Sequence, residues 1–218
     1  MTLPRRFVLG FLVAAMACVH AGTALASGDA GFPLDDVPRT VEAEGRIRCP
    51  DVDLVTFRGD RIRYSSPVRV FVGFRDRLRL FEQVVVDVAT EVYGRPPRTL
   101  RHLGTYNCRR IRLWATYLSE HGLGNAVDVA GFDFGPLPRN ESLPSDLPKS
   151  LRKRFQVRLD PHWEGQEGAA AVHARFLRTL ADRLVARHDI FRVLLGPAYP
   201  GHKDHFHFDC APWRLVRI

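Results

Sequence analysis

The chain has 218 residues, of which 45% are hydrophobic and 26% charged, enough apolar material for one globular domain and too mixed a charge for a disordered polymer. Its formal net charge of +8 suits a polyanionic surrounding, but the arginines are scattered rather than gathered into one arm interleaved with aromatics. Most of them read as solvated surface, and nucleic acid is not expected as a partner.

The first stretch stands apart. Arg5 and Arg6 precede the apolar run Phe7 to Val19, and Ala24-Leu25-Ala26 offers small residues ahead of Ser27. Residues 1–26 therefore read as a secretory signal peptide, because the run is shorter than the roughly 20 residues that a spanning helix needs. Its removal lowers the formal charge from +8 to +6. The mature protein is expected in the periplasm or cell envelope, with no stable membrane insertion. Residues 27–45, rich in Gly, Pro and Asp, read as a flexible lead-in, and residues 46–218 as the functional domain.

Within that domain, Val55-Thr56-Phe57 and Val68 to Val72 alternate as half-buried strands do. The period then changes: Leu78, Phe81, Val85, Val88 and Val92 share a helical face, and Gly94, Pro96 and Pro97 end the helix. Further strands are expected at Leu103 to Cys108, Ala126 to Ala130, Ile190 to Leu195 and Phe206 to Asp209. A second helix is expected from about Ala169 to His188, with Val172, Phe176, Leu180 and Leu184 on its inner face. The Pro-rich stretch from Gly135 to Pro161 has no clear period and reads as a loop or flap. Strands interspersed with few helices predict an α+β domain with a mostly antiparallel sheet and packed helices. Three cysteines, Cys49, Cys108 and Cys210, lie beyond the signal peptide. In an oxidising compartment one disulfide and one free thiol is the natural partition; three pairings are open, with Cys49–Cys108 favoured.

Two segments carry chemistry. Catalytic zinc takes three ligands from His, Asp, Glu or Cys and keeps one position open; His121, Asp128 and His207 are the candidates. Residues two apart on a strand share a face, so His205 and His207 should project together, away from Phe206 and Phe208. Gly122 and Gly124 permit the tight turn that would let His121 and Asp128 converge. Ligating imidazoles need acceptors on their other nitrogen, for which Asp209 and Glu120 are candidates. Ser119 reads as support for the centre rather than as a nucleophile. His162 and Trp163 suit a half-buried loop end as well as a substrate-stacking role.

The pattern Ser119-x-His121-x-x-Gly124-x-Ala126-x-Asp128, with Asp204-His205-Phe206-His207 near the end, resembles the D-alanyl-D-alanine carboxypeptidase and murein endopeptidase group of zinc peptidases. Lysostaphin-type enzymes and hedgehog signalling domains share that fold. More closely, Tyr106-Asn107-Cys108-Arg109, Ser119-Glu120-His121, Asp128-Val129-Ala130-Gly131-Phe132, Phe176-Leu177-Arg178, Leu195-Gly196-Pro197 and Asp204-His205-Phe206-His207 resemble the bacterial extensin-like C-terminal domain family, over about Tyr106 to Asp209.

The resemblance implies a hedgehog/D-Ala-D-Ala-peptidase-like fold, a zinc ion (Zn2+) on His121, Asp128 and His207, and peptidoglycan as the substrate. It places Arg109 near the substrate or the developing oxyanion. Some relatives use an acid three before the last ligand as general base, here Asp204; others use the first histidine of the His-x-His pair, here His205, with a histidine five before the ligand, here His202. Strand parity favours His205 unless Asp204 sits in the turn entering the strand. The activity implied is hydrolysis of an amide in stem peptides or their cross-links, endopeptidase action being preferred to D,D-carboxypeptidase action. The alternatives are a non-catalytic, zinc-stabilised wall-binding domain and an exported phosphoesterase.

Overall fold

The computed structural model describes residues 31–218; the expected signal peptide, residues 1–26, lies outside them. In chain order the elements are β1 (Leu54–Phe57), β2 (Arg63–Tyr64), β3 (Val68–Phe71), α1 (Val72–Tyr93), β4 (Thr99–Gly104), β5 (Arg110–Ile111), β6 (Trp114–Leu118), β7 (Ala126–Phe134), β8 (Phe155–Arg158), the short α2 (Leu159–His162), α3 (Gly168–Ala186), β9 (Val193–Leu195), β10 (Phe206–Asp209) and β11 (Leu215–Arg217). Both predicted helices are present. Leu78, Phe81, Val85, Val88 and Val92 are buried on α1, which ends at Gly94 in a left-handed conformation.

The fold mixes helices and sheets around one seven-stranded sheet of order β11-β9-β10-β7-β4-β2, with β8 also paired to β7. That sheet is mixed, which corrects the expected mostly antiparallel one: β2 runs parallel to β4 and β11 parallel to β9. Chain connectivity explains both. The path from β2 to β4 passes through α1, and a helical crossover returns the chain in the same direction. The far flank of β10 is taken by β7, so β11 can add only outside β9, and starting where β10 ends it runs parallel to β9.

The two faces of the sheet have different tasks. Phe208 of β10 packs against Phe81 of α1 at 5.6 Å between ring centroids, and Phe132 of β7 against Phe176 of α3 at 5.4 Å, so the helices cover one face. On β7, Val127 and Val129 are buried while Asp128 alternates to the other side. The pairing with β4 then skips a residue between Gly131 and Val129, a bulge that turns Phe132 and Phe134 back into the core. Gly131 is needed there, since a Cβ would lie 2.0 Å from the Val157 carbonyl oxygen.

Two expectations on strands change. The strand placed at Leu103 to Cys108 is displaced to Thr99–Gly104, because the backbone beyond Gly104 is diverted: Thr105 donates through its hydroxyl to the Arg69 carbonyl. The Pro-rich stretch is not wholly loop; Phe155–Arg158 forms β8, in register with Gly131–Phe134. Within the expected lead-in, Phe32, Leu34 and Arg39 are buried. Cys49 and Cys108 form a disulfide and Cys210 is a buried free thiol. The described residues include no helix long and apolar enough to cross a membrane.

One buried titratable group sets a pH limit on stability. His173 of α3 is stacked on Phe155 and hydrogen-bonded to the Tyr93 hydroxyl at 2.9 Å. Burial, reinforced by His162, lowers it from its ordinary 6.5 to about 4. The unfolded chain therefore takes up this proton first, so acidification from 6.5 to about 4 should remove stability, on the order of 2 kcal/mol, with no further loss from this group below that window. Urea unfolding of the native chain and of His173→Phe across that range checks it: the variant should lack this part of the decline.

Candidate metal centre

Asp128 and His207 are direct partners across the β7–β10 ladder. His121 arrives from a 3-10 turn, Glu120–Leu123, just before β7. The Ser119 hydroxyl caps that turn by accepting from the His121 backbone N–H at 3.4 Å. Gly124 ends it at φ 61°, where a Cβ would also lie 2.8 Å from the Phe71 nitrogen. The turn is anchored further by Glu120, which pairs with Arg39 at 2.8 Å and accepts from the Asn125 amide at 2.6 Å. Glu120 is thus not an acceptor for a ligand ring.

The three candidate ligands converge. His121 Nε2 stands 3.2 Å from His207 Nδ1 and 3.2 Å from Asp128 Oδ1, and His207 Nδ1 stands 2.9 Å from the same oxygen. The far nitrogens fix the tautomers. His121 Nδ1 faces the Thr105 carbonyl and His207 Nε2 lies 2.7 Å from the Asp209 carboxylate. Both partners only accept, so both far nitrogens carry hydrogen. The near nitrogens of both rings and a carboxylate oxygen are left facing one spot, a donor set that suits a cation in place of ring protons.

The electrostatics couple the three side chains. Burial opposes a charged ring on His207, yet the Asp128 and Asp209 carboxylates hold it up to about 9. Burial would also raise Asp128, but hydrogen bonds from His121 and His207 keep its carboxyl well below the usual range. Tetrahedral ligands at zinc distances stand roughly 3.3 Å apart, so the donor spacing and the donor types fit a divalent ion of that kind. One side stays accessible, since Asp128 and His207 line a cavity of about 300 Å³.

The other expected residues gather around the same cavity. His205 precedes β10; its Nδ1 lies 2.8 Å from Asp204 and its Nε2 3.8 Å from Asp128 Oδ1. Asp204 is in the bend entering the strand and points to His205 rather than to the centre. His202 sits with its ring 4.8 Å from that of His205 and 5.7 Å from that of His207, and burial lowers its pKa, favouring the neutral ring. Arg109 lines the cavity wall. His162 and Trp163 do not: His162 accepts from the Arg158 backbone N–H, and Trp163 packs on Phe206 from the helical side.

Sequence reading missed the Thr105 carbonyl, which no side-chain pattern announces, and the β5–β6 hairpin. That hairpin brings Arg112 and Trp114 to the rim; its strands of two and five residues are too short and exposed to show a period.

A family model described as Extensin-like protein C-terminus matches residues 25–217, most of the chain. No curated protein and no solved structure matches it.

Proposed function

Because the chain belongs to the extensin-like protein C-terminus family and gathers His121, Asp128 and His207 at one point, we propose that it is an exported, zinc-dependent peptidase that hydrolyses an amide bond in peptidoglycan stem peptides or their cross-links. The observation that carries this reading is the convergence of two imidazole nitrogens and a carboxylate oxygen beside an open cavity. We read the architecture as related to the D-alanyl-D-alanine carboxypeptidase and hedgehog-like group, on the strength of the His-x6-Asp and His-x-His patterns.

Bound there, zinc supplies Lewis acidity, which acidifies water and polarises a carbonyl. The remaining work falls to side chains. His205 donates from Nδ1 to Asp204, which frees Nε2 to take a proton from the attacking water and return it to the departing amine. Asp204 is the orienting partner in this pair and His205 the base. Arg109 places positive charge where the carbonyl oxygen becomes anionic, and neutral His202 contacts the substrate. Exposed Leu113 and Trp114 extend the cleft beyond the centre, which suits a cross-link running past it better than a chain end stopping there.

Purified sacculi are the test substrate. Incubation with the zinc-loaded protein should release new muropeptides, detected by liquid chromatography and mass spectrometry, and chelation should stop the release. His205→Ala should retain one zinc per chain and lower the rate by about 10²- to 10⁴-fold. Stoichiometric zinc with no muropeptide released would leave a wall-binding module and defeat the peptidase reading.

A further inference from the structure

The cavity walls carry charge that the centre does not use. Three carboxylates border the cavity, and each is engaged: Asp128 by His121 and His207, Asp209 by His207 and the Ala211 backbone N–H, and Glu120 by Arg39 and Asn125. Two guanidinium groups line the same cavity, those of Arg109 and Arg112, and among the described residues neither has an acidic partner. Arg112 lies in the turn between β5 and β6. Its Nη2 is 2.6 Å from where a Cβ on Gly201 would be, so the guanidinium reaches from the hairpin to the backbone of the segment that leads to His202 and His205. Leu113 and Trp114, the next two residues, are 56% and 48% exposed and line the cavity with it.

The geometry points to Arg112 as a specificity-determining residue that pairs with a free carboxylate on the bound peptide, while Arg109 serves the reacting carbonyl. This rests on the peptidase reading above. A planar guanidinium meets a carboxylate through two parallel hydrogen bonds, and an amide in the same place offers one acceptor and no charge. With every bordering acid already hydrogen-bonded to a partner, the two arginines are the charged groups left to meet an incoming peptide, so the cleft selects an acidic peptide over its amidated form. The carboxylate has two sources, the peptide terminus and an acidic side chain.

Calorimetric titration separates them. Zinc-loaded protein carrying His205→Ala, which prevents turnover, is titrated with three synthetic stem peptides: one with all carboxylates free, one amidated at the terminus, and one amidated at the side chain. One of the two amidations should weaken binding by about 10- to 100-fold, and which one it is names the source. Adding Arg112→Gln should erase that preference, so that the free and amidated peptides bind equally, and Arg112→Lys should restore part of it. A preference that survives Arg112→Gln, or none in the starting protein, overturns the inference. Carboxylate preference with intact sacculi would sink only the hydrolytic reading; cleaved sacculi without the preference would sink only this one.

Discussion

Asp128→Ala is expected to cost the protein its zinc. Removing a group that only orients a ligand lowers metal affinity by roughly 10- to 100-fold, and Asp128 is placed to bind directly, its Oδ1 within 3.2 Å of both ring nitrogens. Its loss should exceed that range, whereas Asp209→Asn, which replaces the acceptor of His207 Nε2 and keeps an oxygen for the Ala211 backbone N–H, should fall inside it. Two measurements separate loss of metal from loss of fold. Zinc content by mass spectrometry should fall from one per chain to near zero in Asp128→Ala. Added zinc at 100 times the native Kd should stabilise the native protein by about 2.7 kcal/mol and the variant by almost nothing. A variant that still held zinc with native affinity would move the centre elsewhere.

The second large effect is expected from the disulfide. Cys49–Cys108 closes a loop with a sequence separation of 59 residues, and a cross-link of that span should stabilise the folded chain by about 4 kcal/mol. Replacing both cysteines by serine should lower the unfolding free energy in guanidinium by that order. The site should feel it too. Cys49 Sγ is 2.7 Å from where a Cβ on Gly122 would lie, so the bridge backs the turn that presents His121. Zinc affinity should therefore fall with stability, and a double variant of native stability and affinity would show the bridge to be dispensable.

What the sequence disclosed depended on range. The helical stripes of α1 and α3 and the alternation around His207 are local, and each appears where its period placed it. The convergence of His121, Asp128 and His207 was legible because few residue types bind metal and glycines set off the first of the three. The supports were not: Arg39 lies 81 positions from Glu120, and the Thr105 carbonyl belongs to the backbone. The strand expected at Leu103 to Cys108 went astray at the point where backbone hydrogen bonds leave the ladder and turn to His121. Parallel pairing at both sheet edges escaped notice because β2 and β11 have two and three residues, too few for any pattern.

Asp128 faces His207 across adjacent strands, and this ties alignment to occupancy. A slip of β10 by a single position would bring a phenylalanine opposite Asp128 and drive two phenyl rings into water. An ion gripped by that pair would act as a rivet through the sheet, so that mispaired molecules would be unable to load it and loaded molecules would resist shearing apart along that seam.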